Sequence, residues 1–157
     1  MPSSAPGALR EPRSPAQTRR QTALALGTLG AIVGGIMGLV FFSMAAFGVA
    51  IDAEATRAEE TALMLGTVAL VGLSVVGAVG GSVARSHPSK GAAMLGIAGG
   101  GGVATFLLMG AVEVVGLTSG TEGFLVDALW LIVGFWSIPA ILFFTAATMA
   151  RAGVETG

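Results

Sequence analysis

The sequence has no cysteine, one histidine and few charges, and each shortage removes a class of chemistry. Without cysteine there is no disulfide, no thiolate nucleophile and no thiolate-ligated metal. The single histidine, His87, lies in a connector where such a residue is ordinarily solvated, and it offers one base for any Ser-His-Asp set in the whole chain. There is no phosphate loop ending in Gly-Lys-Ser/Thr, and the connectors are too short to build a water-filled active site. Lys and Arg number eight, scattered without forming a basic face, and the formal net charge is −1, so nucleic acid is excluded as a partner. These absences together predict a chain that is not an enzyme and takes no cofactor and no metal.

What is present is apolar surface. Of 157 residues, 54% are hydrophobic and 11% charged, against about a quarter charged in soluble domains, and the mean hydropathy is +0.85. The 25 glycines carry no Gly-X-Y period and are interleaved with Leu, Val, Ile, Ala and Phe, which places them in closely packed helices. The stretch Gly91–Gly110 is central. It is uncharged and holds four consecutive glycines, Gly99–Gly102, inside a run of roughly 27 residues whose only charge is Glu113, the signature of a membrane-spanning helix.

Four such runs predict an all-α fold, a polytopic four-transmembrane-helix bundle with short loops and the lipid bilayer as its immediate partner. Residues 1–20, rich in Pro, Ser and Arg, read as a disordered tail; residues 21–152 as the transmembrane domain, with helices over 22–51, 57–85, 90–117 and 124–151; residues 153–157 as a short tail. A cleaved signal peptide ending near Ala46 or Ala50 is the competing reading of the start, but the first apolar run is about 30 residues against 7 to 15 for a signal core. Thr56 with Glu59 forms a capping box for the second helix. Pro88 stops that helix, and Ser89 and Thr121 are placed to cap the third and fourth.

Small residues mark candidate packing faces. Gly27, Gly30, Gly34 and Gly38 form a glycine zipper in the first helix, for packing within the chain or between copies of it. The second helix offers Ala62, Gly66, Gly77 and Gly81. The third carries Ala92, Gly96, Gly100 and Ala104 at strict four-residue spacing, a ladder that could face the first. Its four glycines in a row also raise the alternative of a broken helix with exposed carbonyls, as in transporters. In lipid an opened helix strands amides at several kcal/mol each, which outweighs glycine's helix penalty of about 1 kcal/mol. In the fourth helix Asp127, Trp130, Gly134, Ser137, Ile141, Thr145 and Thr148 form a seam expected to face the bundle, and Pro139 should kink the helix.

Seven of the eight basic residues (Arg10, Arg13, Arg19, Arg20, Arg85, Lys90 and Arg151) fall on one side of a four-span topology, leaving Arg57 on the other. The positive-inside rule then places both termini in the cytoplasm, in a cell membrane. Glu113 and Asp127 are the candidate ion site, because ionisable groups within a membrane are costly and commonly functional. Glu113 follows Lys90 by about 34 Å of helix, near the far edge of a hydrocarbon core about 30 Å thick, and Asp127 enters from that same side. An interfacial position for both is one reading; a paired proton or cation site at the outer mouth is the other.

The pattern Leu26-Gly27-x2-Gly30-x3-Gly34-Gly35, the turn His87-Pro88-Ser89-Lys90-Gly91-Ala92, the run Met94-Leu95-Gly96-Ile97-Ala98-Gly99-Gly100 and Ile138-Pro139-Ala140 resemble a family. It is a group of small bacterial four-helix membrane proteins of unknown function, and the likeness spans about residues 22–150. The resemblance implies the same four-helix fold and brings no activity, cofactor or catalytic residue. Leu26-Gly27-x-x-Gly30 and Leu95-Gly96-x-x-Gly99 also form a faint internal echo. The sequence thus points to a non-enzymatic accessory or structural subunit that packs with itself or with a larger membrane complex. A small proton or cation transporter or channel is the alternative.

Overall fold

The first helix begins earlier than its apolar run. In the computed structural model, which describes residues 14–51, 57–118 and 125–155, with side chains chiefly from Ser14 to Val40, Met64 to Leu108 and Trp136 to Val154, α1 spans Pro15–Ile51. Its start is a capping box within the segment read as tail: the Gln17 amide donates to Ser14 Oγ at 3.3 Å, and the Ser14 amide donates to Gln17 Oε1 at 3.4 Å. Pro15 takes the first helical position, where its missing N–H costs nothing and its fixed φ suits a helix. Residues 15–20 are therefore helical, correcting the reading of 1–20 as one disordered tail; residues 1–13 lie outside those described.

The other helices are α2 (Arg57–Val83), α3 (Pro88–Thr118) and α4 (Leu125–Glu155), and no strand occurs among the described residues. Each helix contains a stretch long and apolar enough to cross a membrane: Pro15–Val40, Met64–Val83, Pro88–Leu108 and Trp136–Val154. The fold is an all-α four-helix bundle whose helices contact in a ring, α1 with α2, α2 with α3, α3 with α4 and α4 with α1. The first and third helices are diagonal, so their small-residue faces do not form the pairing that the sequence invited.

The α2–α3 turn is tight. The His87 amide bonds the Val83 carbonyl at 2.8 Å as α2 ends, and the His87 carbonyl accepts the Gly91 amide at 2.9 Å as α3 begins. His87 is thus the residue preceding α3, and Pro88, not Ser89, opens it. His87 Nδ1 lies 3.0 Å from Ser86 Oγ. Two expectations, the capping box at Thr56 and the cap at Thr121, fall outside the described residues. The third helix is continuous through Gly99–Gly102, as the cost of opening a helix in lipid requires.

The interior is sorted by size rather than by polarity. Eight of the twelve buried apolar residues described are alanines, whereas Leu29, Ile32, Ile36, Leu39, Leu65, Val68, Ile97, Leu107, Leu108 and Ile141 are exposed. A water-soluble bundle would invert this arrangement, because its fold depends on burying large apolar groups. In a bilayer, lipid covers the large side chains at no penalty, and helices associate where small residues let backbones approach.

Candidate functional site

The bundle is built in layers, each joining small residues on two or three helices to at most one or two large side chains from the others. At one end Ala23 of α1, Ala84 just after α2, Ala92 of α3 and Ala150 of α4 meet. One turn deeper, α1 and α2 nearly touch: a Cβ built on Gly27 would lie 3.0 Å from the Gly81 Cα and 3.1 Å from Leu95 Cδ2. Next comes Phe143 of α4, fully buried and packed with Leu95, Ala98, Ala146 and Ala147. Its ring fills the groove left by Gly30 and Gly77: a Cβ on Gly30 would stand 3.0 Å from Phe143 Cε1, and one on Gly77 would overlap the ring.

Beyond that layer Trp136, 2% exposed, inserts among Gly34, Gly102, Leu70 and Ala140. A Cβ on Gly34 would be 2.6 Å from Ser74 Oγ and 3.2 Å from the Trp136 ring, and one on Gly102 would overlap the indole nitrogen. Ser74 lies about 16 Å along α2 from Arg85, and Gly102 about 18 Å along α3 from Lys90, so this layer sits near the middle of a hydrocarbon core about 30 Å thick. Its polar groups are neutral. Ser74 Oγ donates to the Leu70 carbonyl at 3.0 Å, and Thr67 is also buried. Trp136 Nε1 is buried without an acceptor among the described residues. Hydroxyls and an indole at this depth can hydrogen-bond but supply no acid or base in the physiological range.

The sequence-predicted packing residues divide by helix. On α1, Gly27, Gly30, Gly34 and Gly38 are all buried, the last against Val71, whose Cγ2 would be 2.7 Å from an added Cβ. On α2, Gly66, Gly77 and Gly81 are buried; Gly80, absent from the sequence reading, packs equally closely on Met94 and Leu95. The α3 ladder does not act as one face. Ala92 is buried, but Gly96 and Gly100 have nothing within 4 Å of an added Cβ, and Ala104 is exposed. The geometry of the helix explains it. At about 100° per residue, the twelve residues from Ala92 to Ala104 rotate the ladder by about 120°, off the bundle and onto the lipid side, whereas the eleven from Gly27 to Gly38 return to within about 20°. The inward face of α3 is instead Gly91, Leu95, Ala98, Gly99 and Gly102.

A second correction concerns α4. Ser137, Ile141 and Thr148 are exposed and Thr145 is half-buried, so the seam expected to face the bundle turns outward in its described part. The face that packs inward is Trp136, Pro139, Ala140, Phe143, Ala146, Ala147 and Ala150. The hydroxyls need no neighbour, because Thr145 Oγ1 donates to the Ile141 carbonyl and Thr148 Oγ1 to the Thr145 carbonyl, each at 2.8 Å. The aromatic rings, by contrast, have matching grooves to fill.

Glu113 lies within α3 and Asp127 within α4, but their side chains, with Ala62, Trp130 and the surroundings of Gly134, are outside those described. Among the described residues no group of three or more His, Cys, Asp or Glu side chains could hold a metal ion. Compared with known proteins, the chain matches no family model, no curated protein sequence and no solved structure, and what stands is a four-helix architecture with four candidate membrane spans.

Proposed function

We propose that this chain is a non-enzymatic structural or accessory subunit of a cell membrane, which packs through its lipid-facing surface with copies of itself or with a larger membrane complex. The observation that carries the reading is the outward part of the α3 ladder: Gly96, Gly100 and Ala104 present backbone to the surroundings with nothing in the bundle laid against either glycine. Glycine in a lipid-facing helix position gives up side-chain contact and helix propensity, a loss offset when another helix backbone docks there. The α1 glycines, the other candidate for association between copies, are filled from within by Phe143, Trp136, Leu95 and Val71. The distribution of basic residues supports cytoplasmic termini, and the glycine patterns support kinship with the small bacterial four-helix family named above.

The test is the oligomeric state of the protein in native-like bilayers, read by crosslinking and single-molecule photobleaching. Gly96→Leu with Gly100→Leu should abolish association while leaving the helix content and unfolding midpoint within error. A wild-type protein that is strictly monomeric and co-purifies with no partner removes the proposal.

A further inference from the structure

One end of the bundle gathers positive charge. Arg19, Arg20, Arg85, Lys90 and Arg151 all lie there, with Glu155 the only acidic residue of the described helices at that end. At the opposite end Arg57 stands with Glu59, Glu60, Glu113 and Asp127. Two of the five cations, Arg19 and Arg20, lie at one corner, where the start of α1 meets the last turns of α4. Arg19 Nη1 donates to the Ala152 carbonyl at 3.1 Å. The stem of Arg20 lies across Gly153, whose added Cβ would be 3.5 Å from Arg20 Cγ and 3.9 Å from Nε, whereas Arg151, two residues before Gly153 and so about 200° around α4, is exposed on another face.

We propose that this α1–α4 corner binds the phosphate group of an anionic phospholipid in the adjoining leaflet. Each guanidinium carries five N–H donors, and the Ala152 carbonyl takes one of those of Arg19. A phosphate ester supplies several anionic oxygens in the geometry that a guanidinium fork matches. The apolar surface that runs on from the corner decides for a lipid over a free anion. Leu29, Ile32 and Ile36 of α1 and Ile141 of α4 are exposed along the membrane-spanning part of the same two helices, where acyl chains would lie. A basic cluster at a membrane surface is attracted to anionic lipid by a factor of roughly five for each residue engaged.

The experiment is native mass spectrometry of the full chain released from bilayers of phosphatidylcholine and phosphatidylglycerol in equal amounts. The wild type should retain phosphatidylglycerol over phosphatidylcholine by at least roughly fivefold. Arg19→Gln with Arg20→Gln should erase that preference, while Arg151→Gln alone, and Arg85→Gln with Lys90→Gln, should each leave most of it. Equal retention of the two lipids by the wild type overturns the proposal without recourse to any variant. So does loss of the preference in the Arg85/Lys90 pair as complete as in the Arg19/Arg20 pair, which would mean diffuse attraction, and so does displacement of the lipid by millimolar inorganic phosphate, which would mean a soluble anion.

Discussion

Replacing Gly77 by alanine adds one methyl group at one of the tightest places in the described core. The methyl would overlap the Phe143 ring, and that ring is fully buried, with Gly30 against the same Cε1 and Cδ1 atoms and Leu95, Ala98, Ala146 and Ala147 around it. The ring has little room to move off Gly77, because these neighbours already enclose it. Overpacking of this kind costs about 1–3 kcal/mol, and the better helix propensity of alanine returns at most about 1 kcal/mol. Gly77→Ala should therefore destabilise the bundle by about 1–2 kcal/mol. The matched control is Gly72→Ala, one and a half turns away on the same helix, where an added Cβ meets nothing within 4 Å; it should be neutral or stabilise by up to about 1 kcal/mol. Phe143→Leu in the Gly77→Ala background should recover part of the loss, giving a coupling of about 1 kcal/mol between sites that touch. Reversible unfolding in mixed dodecylmaltoside and dodecylsulfate micelles, followed by circular dichroism, measures the wild type, the two glycine variants, Phe143→Leu alone and the double variant. If Gly77→Ala matches the wild type, or if Gly72→Ala is equally damaged, the ring-in-groove account of the core fails.

Three further outcomes are expected. Gly91→Ala should cost about 3 kcal/mol in the same titration, more than Gly77→Ala, because its Cβ would stand 2.5 Å from the Ala84 Cα and N, and backbone cannot rotate aside as a ring can; an equal or smaller cost would contradict this. Trp136→Phe should lie within about 1 kcal/mol of the wild type, since the lost packing is offset by removing a buried donor without an acceptor, worth about 1–3 kcal/mol, while Trp136→Ala should be at least about 2 kcal/mol worse than Trp136→Phe. Ser14→Ala should lower local stability at the start of α1 by about 0.5–2 kcal/mol, seen as faster amide exchange at Gln17–Arg20 with the exchange of α3 unchanged; protection equal to the wild type would show that the cap is not what orders these residues.

The contrast between α1 and α3 shows where reading the sequence succeeds and where it stops. The α1 glycines recur at spacings that close on themselves after eleven residues, and a reader with only helix geometry can place them on one face. The α3 ladder looks more regular, yet its strict four-residue repeat drifts around the helix, so that its inner and outer members serve different surfaces. On α4 the polar residues were a misleading guide, because threonine can satisfy its hydroxyl on its own helix. The start of α1 is legible in principle: Ser14-Pro15-Ala16-Gln17 is a capping box with proline at the first helical position, but it lies ahead of the apolar run in a segment whose Pro, Ser and Arg content reads as a tail.

Composition and charge placement alone determined that the chain makes four apolar helices with a positive end, since length, hydropathy and the separation of basic from acidic residues are properties of the string itself. Which residues meet could be decided only by the folded bundle. Where almost every residue is apolar, hydropathy cannot distinguish inside from outside, and the choice passes to shape: Phe143 and Trp136 go inward because glycines on the facing helices leave grooves of their size, and the remaining large side chains are left to the lipid.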